Sequence, residues 1–208
     1  MFRKKKNKIT DLEKEVKSLF KKAESARLTT HYHKKQMDKA LDKNKPKDFE
    51  KHSSQFTFYD NQYERIKLKI EELKREISDI EYEQEKTKYQ EKAAKFKKEA
   101  SRLFEAIKEA LQEADYSNAS ILIDDLSVFY QKEKVGLDKE VLEPVNYIGP
   151  QSMKIRIGHI LEEKGEVTRI SSTRGPQVAA QKKANVELWS KHLISQIDTC
   201  LKMLQGKS

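Results

Sequence analysis

The side chains in this chain that could do chemistry are few and scattered. His31-Tyr32-His33 places two imidazoles two positions apart, with Asp38 and His52 not far beyond. Imidazole is a common zinc ligand and the side chain that titrates nearest neutral pH. On a helix, however, positions i and i+2 point about 200° apart, so His31 and His33 cannot share one ion. Neither Asp38 nor His52 has a spacing that demands a metal. Cys200 is the only cysteine, which excludes an intrachain disulfide and fits a reducing compartment. It falls on an apolar helical face without a cationic niche, so it reads as a buried thiol and not a nucleophile. Asp124-Asp125 follows three aliphatic residues and reads as exposed. No P-loop, dinucleotide fingerprint, Gly-x-Ser-x-Gly, His-Glu-x-x-His or Cys-x-x-Cys occurs. The reading is a non-enzyme: no catalytic residue, no cofactor, no metal and no small-molecule substrate.

Charge is the feature that rises above background. Arg3, Lys4, Lys5, Lys6 and Lys8 cluster beside Phe2 without an acid among them. Close to an anionic bilayer each cation contributes on the order of 1 kcal/mol, and the Phe2 ring suits the interface. Residues 1–47 hold 16 Lys and Arg against 6 Asp and Glu, residues 48–136 hold 16 against 20, and residues 137–208 hold 11 against 8. A basic first segment beside a mildly acidic second one suggests that the two pair, since complementary fields steer association and register. A nucleic-acid arm within residues 1–47 is the alternative, but the acids downstream dilute the field and no recognition-helix pattern accompanies it.

The elements that would position these groups are helices. All six glycines lie at or after Gly136, and Pro46 is the sole proline before them. Gly and Pro are the strongest breakers of regular structure, whereas Lys, Glu, Leu, Ala and Gln favour helix. A first helix is predicted to start at a capping box, Thr10-Asp11-Leu12-Glu13. Its apolar and small residues alternate three and four apart through Ile9, Leu12, Val16, Leu19, Ala23, Ala26, Thr30, His33, Met37 and Ala40, a coiled-coil seam that is weak in its middle. Residues 42–47 form the turn, with Pro46 in the first turn of the next helix. The second seam is strong: Phe49, His52, Phe56, Tyr59, Tyr63, Ile66, Ile70, Leu73, Ile77 and Ile80. The seams match in length, each about 48 Å at the helical rise, which predicts an antiparallel hairpin over 10–80. The basic residues 1–9 are predicted to be a disordered tail.

After Ile80 the stripe moves by about 200°, through Tyr82, Tyr89, Ala93, Phe96, Ala100, Leu103, Ile107, Ala110 and Ala114. Residues 81–88 between the seams are very polar and predict a solvated bridge or bend. Tyr116-Ser117-Asn118 predicts a turn and cap before a helix over about 118–133, closed by Gly136. Residues 137–177 read as irregular, with 153–170 compatible with a hairpin of strands or, preferred, a short helix. Residues 171–176 read as a loop. A last helix over about 177–204 has a wide apolar face, Val186, Trp189, Leu193, Ile194, Ile197, Cys200, Leu201 and Leu204, as a bundle core requires.

The Phe-Arg-Lys-Lys start, basic first helix and acidic second helix resemble the charge layout of the membrane-remodelling ESCRT-III proteins over residues 1–115 at most. The acidic tail of that family has no counterpart here. The resemblance implies a membrane-surface role.

The expectation is thus an all-α protein with a long antiparallel coiled-coil hairpin joined to a helical bundle over 89–208. Its expected role is that of an adaptor or assembly subunit, cytoplasmic and peripheral to a membrane. A protein partner or a second copy would engage Phe56, Tyr59, Tyr63, Ile66, Ile70, Leu73 and Ile77. A secreted effector or regulator that binds a protein through its helices is a further alternative.

Overall fold

The computed structural model describes residues 2–170 and 176–206, with side chains over 7–167 and 177–206. It is all-helical: α1 (Phe2–Asp42), α2 (Pro46–Gln112), α3 (Tyr116–Glu133), α4 (Lys139–Ile148), α5 (Pro150–Ile170) and α6 (Pro176–Leu204). Among the described residues there is no strand, so 153–170 is helix. Residues 171–175, most of the expected loop, lie outside the described residues. The chain divides into two compact units, Met1–Thr87 and Lys88–Ser208.

Helix α1 starts eight residues before the expected cap. Residues 2–9 are helical, which corrects the disordered tail and places Thr10 inside the helix. The cause is local: Arg and Lys are good helix formers, and no Gly or Pro interrupts them. The turn into α2 closes by hydrogen bonds from Lys45 N to Ala40 O at 2.9 Å and from Asn44 N to Leu41 O at 3.0 Å. Asn44 has φ +50°, the left-handed conformation that this helix-ending motif needs and that Asn tolerates. Pro46 then opens α2, where its missing N–H costs nothing.

In the first unit, Val16 and Ala23 of α1 are buried with Ile70 and Leu73 of α2, and Leu12, Leu19, Tyr63, Ile66 and Ile77 pack around them. Lys8 pairs with Glu76 at 2.8 Å and His33 meets His52, so the two helices run antiparallel. Helix α2 continues unbroken through 81–88. Residues 81–88, expected as a solvated bridge or a bend, are helical, because polar residues without Gly or Pro leave a helix intact. Tyr82 is 66% exposed, so the second seam begins at Tyr89 instead.

In the second unit, one core gathers Phe96, Phe104 and Ile107 of α2 with Ile123 and Leu126 of α3, Val145 of α4, Met153, Ile157 and Ile160 of α5, and Leu193 and Ile197 of α6. The cap of α3 is Asp115, whose carboxylate accepts from Asn118 N at 3.1 Å; the helix starts at Tyr116, two residues before the expected position. Helix α4 replaces part of the expected irregular segment and buries Val141, Pro144, Val145 and Ile148. Gly149 at φ +66° ends it, and Pro150 opens α5. Cys200 is fully buried, and burial pushes its thiol up to about 11. Burial therefore favours the neutral thiol over the thiolate. The buried Ser190 hydroxyl is satisfied by Val186 O at 2.8 Å and by the Tyr116 hydroxyl at 3.1 Å.

Candidate functional site

Two features of the first unit could receive a partner, and both arise from the weak middle of the α1 seam. Ala23 and Ala26 are 7% and 5% exposed. Their small side chains allow α2 to approach but leave one flank unfilled. There an open groove of about 440 Å³ runs beside Ala23 and Ile70, walled by Phe20 and Tyr63. Phe20 remains 49% exposed, with the Lys74 ammonium 5.1 Å from its ring centroid. Lys21, Arg27, Lys67 and Lys74 surround the groove against Glu24 and Glu71, an excess of positive charge.

The second feature is aromatic. His33 Nδ1 and His52 Nδ1 lie 3.0 Å apart. One ring must therefore carry its proton on Nδ1 while the other accepts there. His33 stacks on Tyr59 with centroids 5.7 Å apart, and Tyr32 meets both imidazoles edge-on. Desolvation, then the nearby His52 and Lys51 charges, lower the His33 pKa from 6.5. Its ring neighbours are His52, Tyr32 and Tyr59, with the Lys51 charge also acting on it, and among the described residues no group of three His, Cys, Asp or Glu side chains is placed to hold a metal ion.

A pH dependence follows from the lowered value. The unfolded state binds more protons than the folded state below about 6.5, so the stability of this contact rises with pH there and is lost on acidification. Amide exchange around residues 30–33 and 52–59, corrected for intrinsic rates, is expected to be faster at about pH 5.5 than at about pH 7.5. His33→Gln should remove most of that difference; an unchanged difference would sink the assignment.

The expected partner-interface residues fall mainly on the α1 side of α2. Ile70 and Leu73 are 5% and 4% exposed, against Val16 and Ala23, with Tyr63, Ile66 and Ile77 packed at the margins. Phe56 and Tyr59 are half-buried. Tyr63 and Ile70 also line the groove, whereas Leu73 and Ile77 do not. Of the expected anionic-surface residues, Lys8 is paired with Glu76. The side chains of Arg3, Lys4, Lys5 and Lys6 lie outside the described residues. The residues that sequence reasoning missed are Phe20, Lys67 and Lys74, all off the seam. The signal for Phe20 was a large aromatic next to a seam position, three residues before a seam alanine; the two lysines carried none.

No protein-family model, no curated protein and no solved structure matches the chain. No described helix is long and apolar enough to cross a membrane.

Proposed function

We propose that this protein is a non-enzymatic helical adaptor or assembly subunit. Its first unit acts as an antiparallel coiled-coil hairpin that docks a helix of a protein partner, or of a second copy, along the groove beside Ala23. The second unit is a helical bundle that anchors it, and Arg3, Lys4, Lys5, Lys6 and Lys8 contact an anionic membrane surface. The observation that carries the reading is the groove itself. A half-exposed phenylalanine beside small seam residues leaves room for a third helix, and helix-in-groove recognition uses such anchors.

The alternative is nucleic-acid binding through residues 1–47, favoured by the 16 cations against 6 acids in that stretch. Counterion release would then make affinity fall steeply with salt.

Sedimentation of the purified chain over a range of concentrations, with flotation on anionic and neutral vesicles, tests the reading. Expected are self-association or capture of a defined partner by the hairpin, and flotation with anionic vesicles alone that is lost when residues 2–8 are removed. A chain that stays monomeric, captures nothing and floats with neither vesicle overturns it. Salt-sensitive binding to duplex DNA or RNA with no flotation would favour the alternative.

A further inference from the structure

The second unit holds a groove that the adaptor reading does not use. Helices α5 and α6 run antiparallel there, as the pairs Arg156–Gln196 and Glu163–Lys182 show. Between them lies a groove of about 290 Å³ lined by Arg156, His159, Trp189 and His192. The floor is apolar: Trp189, the only tryptophan, keeps 40% of its surface exposed. Ile155 and Leu188 stand four residues before His159 and His192, so they flank the same face, and both are exposed.

Every polar side chain in the lining can donate a hydrogen bond, and none is a carboxylate. Arg156 presents five N–H donors in a fixed fork, and even a neutral imidazole keeps one N–H. One Arg156 nitrogen is held by Gln196, which orients the fork without neutralising it. Glu162, an acid beside the groove, is 3.6 Å from His159 Nδ1, beyond hydrogen-bond reach.

The shape argues for a compact occupant. Arg156–Gln196 bridges the helices towards one end, and Lys182 bridges them towards the other through Glu163 and Glu166. A docked helix would need a channel uninterrupted by such bridges. The volume sits at the small end of ligand sites, which run from about 300 Å³. An indole face stacks well on another flat ring, and a guanidinium fork matches a carboxylate or phosphate.

We propose that this groove is a binding site for a small planar aromatic anion. The ring system lies on Trp189 and the acidic head reaches Arg156, with His159 and His192 as further donors.

Calorimetric titration of the full chain with 2-naphthoate, 2-naphthamide and octanoate at neutral pH and low salt tests it. Naphthoate is expected to bind one to one, roughly ten-fold or more tighter than either comparison ligand, as a charge-assisted hydrogen bond implies. Arg156→Gln and Trp189→Leu should each weaken naphthoate by roughly ten-fold or more, while Trp189→Phe keeps most of the affinity because it keeps a ring. Arg156→Gln also touches the Gln196 bond, so His192→Leu, at an exposed position, serves as an independent variant and should weaken binding as well. Equal binding of naphthoate and naphthamide would mean a merely apolar patch and overturn the proposal. So would octanoate binding as tightly as naphthoate, no heat with naphthoate at all, or variants that fold normally and bind unchanged.

Discussion

Phe104→Ala is expected to destabilise the second unit by about 3–5 kcal/mol, the usual cost of deleting a buried phenylalanine. Phe104 is fully buried within the cluster that joins α2 to α3, α4, α5 and α6. The loss combines transfer of the ring to water with the cavity left among neighbours that relax only in part. A domain is typically stable by only about 5–15 kcal/mol, so the variant removes a large share. Trp189 lies in this unit and is the only tryptophan in the chain. Denaturant unfolding followed by tryptophan emission therefore reads this unit without interference from the first. Leu188→Ala is the control: Leu188 neighbours the reporter but is 63% exposed, and surface changes of that kind stay within about 0.5 kcal/mol. A Phe104→Ala cost below about 1 kcal/mol would contradict close packing around this side chain.

Phe104 also shows where periodicity stops. The stripe Phe96, Ala100, Leu103, Ile107 and Ala110 was legible in the sequence as a heptad seam, and all five are buried. Phe104 and Leu111 lie off that seam yet are buried as well, because a helix facing several others covers a wider arc than one facing a single partner. Helix α4 was hidden for a different reason. Pro144 lies inside it and Gly136 and Gly149 flank it, so breaker residues outweighed a short apolar face formed by Val141, Val145 and Ile148. The turn at Asn44-Lys45-Pro46 was legible, since Pro carries its own geometry. The start of α1 was misplaced because a good capping sequence does not end a helix that nothing else interrupts.

The candidate site divides in the same way. His33 and His52 both occupy seam positions, so their meeting was accessible from heptad spacing, although the stacking of His33 on Tyr59 was not. The groove beside Ala23 was not legible. A groove is space that small residues fail to fill, and its wall comes from positions next to the seam, such as Phe20 and Lys74, whose neighbours across the helix pair depend on register. The aromatic pocket of α5 and α6 was equally hidden: Trp189 was assigned to the core, yet it lies at the core's edge with 40% of its surface exposed.

Phe20→Ala is expected to weaken the proposed docking at the groove beside Ala23 by roughly thirty-fold, the scale of an interface hot spot worth about 2 kcal/mol. The hairpin itself should lose about 2 kcal/mol or less, at or below the low end of a seam truncation. Phe20 is already 49% exposed and does not belong to the buried cluster of Val16, Ala23, Ile70 and Leu73, so truncation loses about 1 kcal/mol or less of burial. Loss of the contact with the Lys74 ammonium adds about 0.5–1 kcal/mol at an exposed site. Leu73→Ala should behave differently. It opens the buried seam, costs about 2–5 kcal/mol of folding, and weakens association only through loss of the folded hairpin. Equilibrium sedimentation or titration with the captured partner gives the first quantity, and amide exchange of α1 gives the second. A partner that docks on the flank requires the two variants to separate: association lost with protection kept for Phe20→Ala, both lost together for Leu73→Ala. Unchanged association in Phe20→Ala would move the interface off this groove. Loss of α1 protection in the same variant would make Phe20 a structural residue of the hairpin and not a contact for a partner.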